Sequence, residues 1–96
     1  MSTTERQRLL DAWITISTPG HELYDSYENL IGLHTSANFG TIHATAWFLP
    51  WHRWFALEME NLLRQVDCRI TLPWWDWTKK TTTWQTAAPF LDSSAW

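Results

Sequence analysis

The sequence contains a single cysteine, Cys68, so an internal disulfide is excluded. It has no excess of basic residues: seven Lys and Arg face ten Asp and Glu, a net charge of −3. The two signs are mixed along the chain with no basic stripe, which leaves a nucleic-acid partner without support. The longest apolar run, Ala44 to Trp51, is far too short to span a bilayer, so no membrane segment is expected. Met1-Ser2-Thr3-Thr4-Glu5-Arg6 lacks the apolar core of a signal peptide. With the lone cysteine, this favours an intracellular, cytoplasmic chain and leaves a processed secreted chain open. Repeats, low-complexity tracts and linkers are also missing, so 1–96 reads as one small domain. A chain of this length buries a modest core, and its stability is marginal without a metal or a partner.

What is abundant is tryptophan, with nine residues. An indole is bulky, and its N–H needs a partner when buried. So many in so short a chain imply a shallow aromatic core, or a face that another segment covers. Hydrophobic residues make up 45 %, which places the chain among globular rather than disordered sequences.

The periodicity predicts an all-α fold, about three helices joined by long loops. Ser2 and Glu5 have capping-box spacing and start the first helix. Leu9, Leu10, Trp13 and Ile14 form its stripe, and Ser17-Thr18-Pro19-Gly20 ends it. The second helix is predicted over 22–34, with Leu23, Tyr27, Leu30 and His34 on one face. A loop marked by Asn38 and Gly40 follows from Thr35 to about Leu49 and carries His43. Pro50 suits the first turn of the third helix, whose apolar face is Phe55, Met59, Leu62 and Val66, with Leu63 alongside. Glu60 and Arg64 have ion-pair spacing on its flank. Ile70-Thr71-Leu72 reads as a short extended piece ending at Pro73.

Three of the four histidines have a geometric case as metal ligands. His34 ends one inward stripe, His52 lies one turn before Phe55 and Ala56 on another, and His43 sits midway, nine residues from each. Two packed helices and their connecting loop can aim these imidazoles at one point. Three neutral ring nitrogens with an open position make a reactive site suited to copper, zinc, iron or nickel, and spacing alone does not choose among them. His21 follows a Pro-Gly turn, faces no stripe and reads as an exposed loop residue.

The local sequence narrows the choice. His43-Ala-Thr-Ala-Trp-Phe-Leu-Pro-Trp-His52-Arg53, followed by Phe55, Glu58 and Glu60, resembles the first copper-binding signature of the tyrosinases, catechol oxidases and molluscan-type haemocyanins. Leu72-Pro73-Trp74-Trp75-Asp76-Trp77 is similar to a second segment of that family, and Tyr24-Asp25 with Leu33-His34 is similar to the helix that delivers its first ligand. The resemblance covers roughly residues 5 to 80. It implies that His34, His43 and His52 hold one copper ion, with Arg53, Glu60 and Asp76 in structural or hydrogen-bonding roles. Thr41 and Ile42 stand where some members carry a cysteine crosslinked to the second ligand, so that thioether is absent, and Cys68 reads as a small packed side chain.

The family uses two coppers in a four-helix core to oxidise phenols or catechols to quinones with O2. The second site, with its paired histidines, has no counterpart here. The resemblance therefore implies the first half of such a core, a truncated copper domain that is weakly active or inactive alone. It would self-associate or pair with a carboxy-terminal half. The same residues leave open an oxygen carrier of haemocyanin type and a metal-free, Trp-rich structural domain.

Overall fold

A computed structural model describes residues 2–35 and 39–74. Over these residues the chain is all-α, with four helices: α1 (Thr3–Ile16), α2 (Tyr24–His34), α3 (Phe39–Ile42) and α4 (Phe48–Arg64). None of the described helices is long and apolar enough to cross a membrane.

The start of α1 follows from its capping box. The Glu5 N–H donates to Ser2 Oγ at 3.1 Å, and the Ser2 N–H donates to Glu5 Oε2 at 2.6 Å. Each bond satisfies a donor the helix itself leaves open. These bonds from Ser2 hold the Glu5 carboxyl below its ordinary range. At the other end the hydroxyls of Ser17 and Thr18 donate to the carbonyls of Trp13 and Ile14. Gly20, at φ +92°, then turns the chain through a region that costs other residues more.

The core forms where α4 packs against α1 and α2. Leu9, Ala12 and Ile16 of α1, Leu30 of α2, and Met59, Leu62 and Leu63 of α4 meet there, closed below by Ile70. Leu63 is fully buried. Trp13, Leu23, Tyr27, Ile31, Phe55 and Leu72 line its edge. Ile42 of α3 is also buried but lies outside this cluster.

Several expectations change. The described residues hold four helices, the three expected ones and a short α3 that forms inside the predicted loop. The second helix begins at Tyr24, with Glu22 and Leu23 in the preceding turn. The buried face of α1 is Leu9, Ala12 and Ile16; Ile14 is 64 % exposed. The stripe read from the large side chains was rotated toward Leu10 and Ile14, which line an apolar groove with Trp13, Leu72 and Pro73. Small Ala12 instead allows close approach to α4. Val66 lies beyond the end of α4 and is exposed. Cys68 is exposed rather than packed.

Glu60 and Arg64 both reach across to the segment after α4. Glu60 Oε2 accepts from the Leu72 N–H at 2.9 Å, and Arg64 Nη1 donates to the Ile70 carbonyl at 3.1 Å. The two side chains clamp 70–72 against α4, and this seats Ile70 in the core. Just before that segment, Arg69 forks onto the Asp67 carboxylate at 2.7 and 2.9 Å, which holds that carboxyl down at about 2.

Candidate metal centre

Each of the three histidines comes from a different helix or its edge. His34 is the last residue of α2, fixed by the core contacts of Leu30 one turn earlier. His52 lies one turn into α4, ahead of Phe55 and Met59. His43 is the first residue past α3, and its N–H donates to the Phe39 carbonyl at 3.2 Å. Ala44 follows in the left-handed region, at φ 57°, which turns the chain sharply away from α3 toward α4.

The three rings converge. Their centroids are 5.1 Å apart for His34 and His43, 5.4 Å for His34 and His52, and 5.0 Å for His43 and His52. The planes are steeply inclined to one another, at 82°, 86° and 67°, so the rings meet edge to face rather than stacked. One nitrogen from each ring lies within 4.8 Å of the other two. A tetrahedral or trigonal ion with bonds of about 2.0–2.1 Å needs nitrogens about 3.3–3.6 Å apart. The limit of 4.8 Å observed for the three rings is wider than that spacing.

Hydrogen bonding fixes which nitrogen is offered. His43 Nδ1 is 2.9 Å from the Phe39 carbonyl, and His52 Nδ1 is 2.7 Å from the Phe48 carbonyl. A carbonyl oxygen only accepts, so Nδ1 carries the proton in both rings. Nε2 is left with its lone pair free, the form a metal takes. Phe39, Phe48, Trp51 and Phe55 pack around the imidazoles. Phe39 lies 4.2 Å from His43, Phe48 lies 4.4 Å from His52, and Phe55 lies 5.4 Å from His34. This aromatic collar is partial, since Phe39 and Phe48 are themselves 57 % and 41 % exposed.

Of the other expected residues, Glu60 has the clamp role described above, and Arg53 is exposed beside His52. Asp76 lies outside the described residues. His21 is half-buried rather than exposed, and its Nδ1 accepts from the Leu23 N–H at 3.1 Å, which shapes the turn into α2. The collar was missed from the sequence. Its signal is the placement of Phe39 and Phe48 four residues before His43 and His52, the i−4 neighbours on a helix.

Residues 24–95 match the family described as the common central domain of tyrosinase. The chain belongs to the tyrosinase family. A tyrosinase-like protein of Caenorhabditis elegans is 42 % identical to it over 77 residues, covering 79 % of this chain and 10 % of the relative. Grixazone synthase of Streptomyces griseus is 36 % identical over 87 residues, 81 % of this chain and 27 % of that protein. The tyrosinase of Streptomyces lincolnensis is 34 % identical over 79 residues, again 81 % of this chain and 29 % of that protein. The chain therefore spans less than a third of the length of these relatives. No solved structure matches it.

Tyrosinase-family membership implies copper, and the donor set fits it: three imidazoles, two with Nε2 held free. This is a copper-binding, tyrosinase-like chain.

Proposed function

We propose that this chain forms the first-copper portion of a tyrosinase-like oxidoreductase that oxidises small phenols or catechols to quinones with O2. The observation that carries the reading is the convergence of the three histidine nitrogens within 4.8 Å, in a chain of this family. Copper, when bound, supplies the electron transfer between the phenolic substrate and O2. The protein's own work is to hold and orient. His34, His43 and His52 present ring nitrogens toward a common point, and the Phe39 and Phe48 carbonyls keep the Nδ1 protons in place. Phe39, Phe48, Trp51 and Phe55 stand against the rings and limit how they turn. Of the four histidines in the sequence only His21 lies outside the cluster, so the chain supplies ligands for one ion of a two-copper site. Full turnover therefore needs a second set of ligands, and pairing with a carboxy-terminal half is the partner this reading expects.

Copper loading followed by metal analysis tests the assignment. The expected result is about one copper per chain, lost in His52→Ala, with catechol oxidation by the loaded chain slow or absent. Unchanged copper content in His52→Ala overturns the assignment. So does fast catechol turnover by the isolated chain, which one ion would not sustain. If a version with a complete second histidine set binds O2 without oxidising catechol, oxygen carriage replaces oxidation.

A further inference from the structure

The three ligands are not equally anchored, and the difference sets an order of metal capture. His34 and His52 sit on helices of 11 and 17 residues whose buried side chains belong to one core cluster. His43 is attached to a helix of four residues. A single turn has no stability of its own, because the cost of nucleation is not recovered by propagation. Its one buried residue, Ile42, lies outside that cluster. Among the described residues, the ties from α3 to the body include a short contact with α4, the buried Ile42, and the edge contacts of the His43 ring with His34 and His52, with Phe48 at 6.0 Å. Ring contacts of this kind are individually weak. Beyond His43 the chain turns through Ala44 at φ 57°, a conformation that surrounding contacts must impose on alanine.

We propose that His34 and His52 form a preformed two-nitrogen landing site, and that α3 closes His43 onto the ion afterwards. The bound ion, rather than the hydrophobic core, then holds α3 in place. This inference rests on the metal site proposed above and adds which ligand arrives last. Opening of α3 removes one ligand from three. By linkage, a saturating metal suppresses that opening by the ratio of its affinities for the closed and open forms. A His43→Ala variant has the ligand set of the open form. The factor by which metal slows exchange at α3 must therefore equal the factor by which His43→Ala weakens metal binding.

The experiment uses Zn2+, which imidazoles also bind and which is redox-silent. Zinc affinity is measured by calorimetry for the full chain, His43→Ala and His52→Ala. Amide exchange is followed by NMR at His43, whose N–H is bonded to the Phe39 carbonyl, and at Leu63 in the core of α4. In the metal-free chain the His43 amide is expected to exchange at least tenfold faster than the Leu63 amide. Saturating zinc should slow it by about the ratio of the His43→Ala and wild-type dissociation constants. His43→Ala should still bind one zinc more tightly than His52→Ala does. Equal protection of His43 and Leu63 without metal overturns the inference, and so does a zinc effect on His43 far below that ratio. Either result leaves the metal site standing if zinc binds at one per chain. An absence of zinc binding to the wild-type chain overturns both.

Discussion

Glu60 offers the sharpest test of how this small fold is held together. Its Oε2 accepts from the Leu72 N–H at 2.9 Å in a partly buried position, and Arg64 grips the Ile70 carbonyl from the same helix face. Glu60→Ala removes the acceptor and leaves the Leu72 N–H to find water beside a buried Ile70. A hydrogen bond to a charged acceptor contributes about 1.5–3 kcal/mol, and partial exposure brings the expected loss to about 1–2 kcal/mol. For a domain of this size that is a fall in Tm of roughly 5–15 °C. The alternative role, an ion pair with Arg64 along α4, is worth about 0.3–0.5 kcal/mol and fades in high salt. Urea unfolding followed by circular dichroism, with and without 1 M NaCl, separates the two. Glu60→Gln, which keeps an acceptor oxygen, should recover most of the loss. A loss below about 0.5 kcal/mol in Glu60→Ala that vanishes in salt would refute the clamp.

Other outcomes follow from the same geometry. Leu63→Ala, at a fully buried position where α4 meets α1 and α2, should cost about 2–5 kcal/mol in urea unfolding, enough to leave much of a small domain unfolded. Ala44→Val places a β-branched side chain at φ 57°; it should weaken zinc binding roughly 5–30-fold, the equivalent of about 1–2 kcal/mol of strain, while Ala44→Gly stays close to wild type by calorimetry. The Asp67 carboxyl, held at about 2 first by the hydrogen bonds from Arg69, is depressed relative to its ordinary value of 3.8. The contribution of this pair is therefore complete above pH 3.8 and lost as pH falls through about 2. An NMR titration should place its midpoint there, and Arg69→Ala should return it toward the ordinary range.

Much of this was legible in the sequence, and the parts that were not share a cause. The capping box of Ser2 and Glu5, the inward face of α2 and the long apolar face of α4 are local patterns, and local hydrogen bonding and helix periodicity suffice to read them. The convergence of His34, His43 and His52 was readable because two of these histidines end or begin such faces. α3 was not, since four residues carry no period. The core face of α1 was misread because large side chains outweighed Ala12, whose value is the closeness it permits to a helix distant in sequence. Glu60 and Arg64 were paired with each other because their true partners, the backbone groups of Leu72 and Ile70, are set by how the chain folds back after α4.

The acceptors that fix the His43 and His52 tautomers belong to the peptide backbone of the preceding turn, not to any side chain. No codon change can delete a main-chain carbonyl; only unwinding the turn can. Sequence drift around His43 and His52 therefore leaves both ring orientations supported for as long as the local helix survives. Side-chain changes within these turns leave both acceptors in place, while a proline placed to break either turn would cost the ring its orientation.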